Sequence, residues 1–225
     1  MITIVPVEGI PEVTEGDDLA ALIVGAAGGG FEDGDVVVVA HKVVSKSEGR
    51  VVAASDGSAA ALRESAEILR RRGDMLISVT RHGLVCANAG VDASNVPGDN
   101  VVLLPVDPDL SARRLRARIA HLTGADTAVI VSDTFGRAWR NGQTNVAIGV
   151  AGMEAFIDHR GTRDMQGRTL DVTTIAIADE LAGAAEIVMG KSEGICAAMI
   201  RGAPIARGRG AAADLVRPPE DDLFR

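Results

Sequence analysis

Val129-Ile-Val-Ser132-Asp133-Thr134-Phe-Gly-Arg137-Ala-Trp139-Arg140-Asn141-Gly-Gln143-Thr-Asn145 governs how the rest of the chain is read. An apolar strand, residues 127–132, runs without a break into an Asp-Thr pair and then a dense polar loop. That loop holds two arginines, three side-chain amides and the only tryptophan of the chain. A carboxylate, a hydroxyl and guanidinium groups at one strand end suit a metal ion and an anionic substrate, a set for which a plain structural loop has no need. The simpler alternative, Asp133 or Thr134 capping a helix that starts near Phe135, leaves Arg137, Arg140, Asn141 and Gln143 without a reason.

Working outward, residues 36–40 are a continuous Val/Ala run, expected as a strand buried on both faces. The strongly polar segment His41-Lys42-Val-Val-Ser45-Lys46-Ser47-Glu48-Gly49-Arg50 follows at once. Residues 2–7, 75–79, 84–87, 101–105, 146–150, 169–177 and 195–201 read as further strands. Helices are expected over 17–27, 58–72, 111–122 and 179–189. The second has Ala61, Leu62, Ser65, Ile68 and Leu69 on one face and Gly73 at its end; the third has Ser111 as cap and Gly124 as stop. Connections of antiparallel length interrupt any βαβ rhythm, so the expected class is α+β, with mixed β-sheets and flanking helices. Residues 1–205 read as one domain and residues 206–225, rich in Gly, Arg, Pro and acids, as a loose C-terminal tail or linker.

Composition narrows the partners. The net charge of −8 argues against a phosphate-backbone partner, and with aromatics at 2% no stacking platform for nucleic acid exists. No apolar run approaches membrane-spanning length, and the N-terminus shows no signal-peptide pattern. Cys86 and Cys196 stand in apolar surroundings, outside any metal or redox spacing, as expected of buried thiols in a reducing cytoplasm.

Three more segments carry chemistry. Asn88-Ala-Gly90-Val-Asp92-Ala-Ser94-Asn95 sets Asp92 and Asn95 in a Gly-bounded loop, either as cation ligands or as an Asx-turn. Lys42 and Lys46 leave the buried strand where they can hold phosphates as point charges, or simply be solvated. Gly190-Lys191-Ser192-Glu193-Gly194 suggests a P-loop, but the position five residues before Gly190 is Ala185 and the segment follows a helix. It serves as a nucleotide-contacting turn or as an ordinary helix-to-strand turn. His41, His82, His121 and His159 show no HExxH spacing, and no Gly-x-Ser-x-Gly elbow is present.

Together these segments resemble the GTP-dependent γ-glutamyl ligase family of coenzyme F420 biosynthesis (coenzyme F420-0:L-glutamate ligases). The resemblance spans nearly the whole chain. Its most specific pieces are Lys42-Val-Val-Ser-Lys46-x-Glu48-Gly-Arg50, Ala89-Gly-Val-Asp92-x-Ser-Asn95 and Ser132-Asp133-Thr-x-Gly-Arg-Ala-Trp-Arg-Asn-Gly-Gln143. It implies an α+β fold, an intertwined homodimer, and ligation of L-glutamate to the lactyl carboxylate of F420-0 or dehydro-F420-0. GTP is the co-substrate and an acyl phosphate the intermediate; further γ-linked glutamates can follow. Mg2+ or Mn2+ is implied, two per site, with K+ as an additional candidate.

By the same resemblance, Asp92 and Asp133 are ligands of the first cation, and Thr134 and Glu193 of the second. Ile10, Pro11, Glu12, Val13, His41, Lys46, Asn95, Gly190, Ser192, Glu193 and Gly194 form the GTP site. Asp133, Thr134, Arg137 and Arg140 are the implied catalytic set. From their charge, Arg137, Arg140, Asn141 and Gln143 are expected to bind the phosphodiester and carboxylates of the substrate. Two positions depart from the family pattern: His41, where relatives often carry a small polar residue, and Lys191, a positive charge where many carry an acid or a neutral residue. A metal- and nucleotide-binding regulatory module, or a metal-dependent phosphatase, would use the same residues without ligation.

Overall fold

The four valines 36–39 are fully buried because the strand they form has helices on both sides. Residues 1–223 are described by a computed structural model. The chain runs β1 (Thr3–Pro6), α1 (Leu19–Ala26), β2 (Val36–Ala40), α2 (His41–Ser47), β3 (Val51–Ala53), α3 (Gly57–Glu64), β4 (Ser65–Arg72), β5 (Met75–Thr80) and β6 (Val85–Ala87). It continues with β7 (Asn100–Val102), α4 (Pro108–Thr123), β8 (Ala128–Arg137), β9 (Arg140–Ala151), β10 (Ile157–Asp158), β11 (Thr174–Ile175), α5 (Ile177–Met189) and β12 (Ala197–Arg201).

The main sheet has the order β1-β12-β2-β8-β9. Successive side chains of a strand point to opposite faces. Val37, Val39, Val129 and Val131 therefore pack with Ile23 of α1 and with Leu115 and Ile119 of α4. Val36, Val38, Ala128 and Ile130 pack with Leu181, Ala185 and Met189 of α5. Each large aliphatic side chain sealed this way contributes about 1.5–3 kcal/mol, and these clusters take the place of the missing aromatic core. Within this sheet β2 and β8 are parallel and the other pairs antiparallel, which makes it mixed and the fold α+β. Ala40 lies opposite Ser132, where β2 ends and its pairing with β8 stops. α2 begins at the next residue of the first strand, and Asp133 is the first residue of β8 beyond that pairing.

The β8–β9 register slips between Val131 and Ser132: Val131 faces Gly149 and Ser132 faces Ala147, leaving Ile148 as the extra residue. Ile148 packs in the α1/α4 core, as its neighbour on that face, Gly149, lies against the start of α4. Asp179, in the first turn of α5, accepts from Ala147 N at 2.8 Å; Asp109, in the first turn of α4, accepts from Val150 N at 2.7 Å. Burial pushes the Asp179 carboxyl up, opposed by the Ala147 amide.

Residues 51–106 form smaller layers: β3 with β7, and β4-β5-β6. Arg50 fastens them to the main sheet, with Nε donating to Leu104 O and a terminal nitrogen 3.0 Å from Glu64. Glu48 of the same motif accepts from Ser111 Oγ on α4, so both residues are structural.

Several expectations need correction. Residues 58–72 are not one helix. α3 stops at Glu64, and Ser65–Arg72 pairs antiparallel with β5 around the two-residue turn Gly73-Asp74. A glycine that ends a helix and one that tightens a hairpin read alike in sequence. The polar segment after β2 is helical over His41–Ser47, with no side-chain cap to announce it. The polar stretch after Asp133 is not a loop but the paired ends of β8 and β9. The strand expected over 169–177 shrinks to Thr174–Ile175, and α5 begins at Ile177. The cap of α4 is Asp107, not Ser111: its carboxylate accepts from Leu110 N, with Pro108 in the first turn. The segment expected as a loose tail is anchored where described, since Asp109 accepts from Ala212 N and Ala212 is buried. Among the described residues, no helix is long and apolar enough to cross a membrane.

A Cβ at Gly149 would overlap the Pro108 carbonyl. Gly149→Ala is expected to push α4 from the sheet and cost about 1–3 kcal/mol, read as a lower urea midpoint with an unchanged slope.

Candidate active site

The pleat of β8 aims Asp133 and Thr134 to opposite faces. Asp133 turns toward α2, where His41 Nε2 lies 3.1 Å from Asp133 Oδ1, off the line a hydrogen bond requires. His41 is 2% exposed, so this contact is closed to solvent. The Thr134 amide donates to the same Oδ1. Thr134 turns toward α5. Its hydroxyl donates to Asn145 Oδ1 of β9 and accepts from Lys191 Nζ, both at 2.6 Å.

A cleft of about 590 Å³ straddles this strand end. Its walls are the 10–13 loop, the start of α2 with Lys42 and Lys46, residues 95–97, Ser132 to Thr134 with Asn145, and the turn after α5. Each lysine here is paired. Lys46 Nζ, nearly buried, lies 2.7 Å from Glu12 and donates to Asn95 O. Lys42 Nζ lies 2.7 Å from Asp92 and contacts Ser94 Oγ. Lys191 Nζ lies 2.5 Å from Glu186 of α5. Asn95, at φ +56, has its amide donating to Lys191 O, so it links α2 to the turn across the cleft. Three ammonium groups thus stand in one concavity, each opposed by an acid, so the cleft carries little net charge.

The expected site residues divide into two groups. Ile10, Pro11, Glu12, Val13, His41, Lys46, Asn95, Asp133, Thr134, Gly190, Ser192 and Gly194 line the cleft. Asp92 stands behind Lys42, and the sequence neighbour of that lysine, His41, lies beside Asp133; the two acids thus stand next to consecutive residues of α2. Burial alone would raise the Asp92 carboxyl, but Lys42 and the Ser94 amide hold it below its ordinary value. Glu193 keeps its carboxylate on the Ser192 amide and hydroxyl of its own turn. Arg137, Arg140, Asn141 and Gln143 sit on the exposed tip of the β8–β9 hairpin, where Arg137 donates to Asn141 O. Sequence reading missed Glu186 and the role of Asn145. On a helix, Glu186 reads as one more solvated acid, and its only signal is Lys191 just past the helix end.

Among the described residues no three His, Cys, Asp or Glu side chains converge as a ready-made metal cage. Asp92 and Asp133 nevertheless have the hard oxygen donors that Mg2+ or Mn2+ takes when one or two carboxylates share it with substrate phosphates. The donors around Thr134 do not fit a divalent ion, because a lysine ammonium already stands there.

Beyond the paired part of the parallel strands β2 and β8, a carboxylate, a hydroxyl and two lysines meet a third lysine from the turn after α5 in one polar cleft. The sequence model of the F420-0:gamma-glutamyl ligase family matches residues 9–202, and the chain belongs to that family. It is a ligase that forms a C–N bond. The coenzyme F420:L-glutamate ligase of Methanothermobacter thermautotrophicus is 44% identical over 249 aligned positions, covering 100% of this chain and 99% of the relative. Those of Archaeoglobus fulgidus and Methanopyrus kandleri are each 42% identical, covering 100% and 97% of this chain and 96% and 97% of the relatives.

Burial raises both thiols: Cys196, on the cleft wall, to about 11, and Cys86, with added repulsion from Asp133, to about 12. Thiolate therefore forms only far above neutrality. At pH 8 iodoacetamide is expected to label neither cysteine in the folded protein and both in urea, with labelling of Cys196 emerging first as pH rises, as mass spectrometry will read.

Proposed function

We propose that this chain uses GTP to join L-glutamate to the lactyl carboxylate of coenzyme F420-0 or its dehydro form, with further γ-linked additions. One observation supports this reading most: the cleft gathers the three family segments around Asp133 and Thr134, with Lys42 and Lys46 along one wall. In this reading the guanine rests on the backbone of residues 10–13 and the triphosphate runs past Lys46 and Lys42 toward Asp133. The turn from Gly190 to Gly194 closes over it.

Two steps follow. A lactyl carboxylate oxygen attacks the γ-phosphorus, the bond to the β–γ bridging oxygen breaks, and GDP leaves an acyl phosphate. The glutamate amine then attacks the acyl carbon, the carbon–oxygen bond to phosphate breaks, and the amine gives up a proton as the amide forms. Phosphorylation is needed because a free carboxylate is a poor electrophile at neutral pH. The lysines draw charge from the phosphates, and the Thr134 amide keeps the Asp133 carboxylate aimed, with buried His41 packed beside it. Asp92 and Asp133 would hold a divalent cation, which would supply further charge neutralisation at the triphosphate. Arg137, Arg140, Asn141 and Gln143 hold the phosphodiester and carboxylates of the acceptor from the hairpin. The same reading makes the enzyme a cytoplasmic homodimer, with K+ as an accessory ion.

Phosphate release from GTP with Mn2+ tests the reading. It is expected only when precursor and glutamate are both present; release without glutamate means a phosphatase, and none means a binding module. Asp133→Asn keeps the shape but lowers the charge, and is expected to cut turnover about 100-fold or more with an unchanged melting temperature. Wild-type rates in that variant defeat the assignment.

A further inference from the structure

We infer that Lys191 Nζ is the resident cation of a position built by Thr134, Asn145 and Glu186, so that each site takes one divalent cation rather than two. The inference rests on the nucleotide-and-metal reading above and specifies its stoichiometry.

The position is an oxygen nest. Lys191 Nζ has Glu186 at 2.5 Å and Thr134 Oγ1 at 2.6 Å, and Thr134 Oγ1 is 2.6 Å from Asn145 Oδ1. A carboxylate, a hydroxyl and an amide carbonyl are the donors a hard cation selects. Here an ammonium stands among them, and an ammonium has no lone pair to offer a metal. A second dication would have to expel it. Glu186 Oε2 is buried with no hydrogen-bond partner among the described residues. A sealed carboxylate oxygen without a donor marks Glu186 as built to balance a positive charge, not to solvate a helix surface.

Glu193 does not serve this position. A Cβ at Gly190 would overlap Glu193 Oε2, so the glycine is what lets that carboxylate fold back over the turn. There it accepts from Ser192 N and Oγ, fully exposed. Gly190, at φ +62, suits the turn in a second way, since this backbone region is open to glycine. The acid at the Thr134 face is therefore Glu186, carried by α5, whose far end fixes the β8–β9 register through Asp179.

Bound Mn2+ per chain, counted by the EPR signal of free ion in the presence of GDP, tests this. The expected counts are one for the wild type, two for Lys191→Met, and one again for Lys191→Met/Glu186→Gln, with circular dichroism confirming that each variant is folded. Two ions in the wild type, or no gain in Lys191→Met, overturns the inference. A wild type that binds none with GDP defeats the nucleotide-and-metal reading instead. Even then, an ion gained in Lys191→Met and lost in the double variant upholds the inference, and no gain overturns it.

Discussion

The hydrogen bond from Ala147 N to Asp179 fixes where β9 stands against β8, and the polar end of the sheet depends on that placement. Beyond the slip, Asn145 faces Thr134 and not its neighbours, and Asp133 and Thr134 divide between the two faces. Shifted by one residue, β9 would set Thr144 or Val146 opposite Thr134 in place of Asn145 and turn its own side chains to the other faces. Asp179 and Glu186 are on one helix, seven residues and about 10 Å apart. The same rigid rod therefore sets the register and delivers the acid that pairs with Lys191.

The electrostatics follow a single rule: each cleft lysine is matched with one acid from a different segment. Lys46 has Glu12, Lys42 has Asp92 and Lys191 has Glu186. Without ligand the cleft is close to neutral and its side chains are already oriented. Such exposed or half-exposed pairs contribute little stability. Their use is geometric, since a phosphate that arrives finds ammonium groups aimed and only their acids to displace. Lys46 is the exception in burial, and its bonds to Glu12 and to the Asn95 carbonyl keep the 10–13 loop and the Asp92 loop at a fixed separation.

Sequence reading succeeded where one periodicity faced no rival. The valines of β2, the apolar start of β8 and the face of α5 appeared as expected because burial on both sides leaves no polar option. It failed where two local signals coincide. Residues 58–72 carry a helical stripe, yet Gly73-Asp74 makes a hairpin and the second half pairs as β4. α2 starts without a cap, so nothing in its polar residues announced a helix. Asp133, Thr134, Lys46 and Asn95, singled out in the sequence, come together along one cleft; charged and polar groups beside apolar strands had drawn attention to them. Glu186 was hidden, because its role comes from the turn that swings Lys191 back toward the sheet, and no spacing rule encodes that fold-back.

The outer margins of the five-stranded sheet are β1 and β9. A free strand margin offers a row of unclaimed amides to any other chain that passes, the usual start of edge-to-edge aggregation. On β9, Asp109 occupies the Val150 amide and Asp179 the Ala147 amide, each sent from the helix on its own side. On β1, Pro6 has no amide hydrogen to give. The carboxylates that set the active-site register thus also guard the sheet against growing, because each leaves one amide fewer for a passing strand to claim.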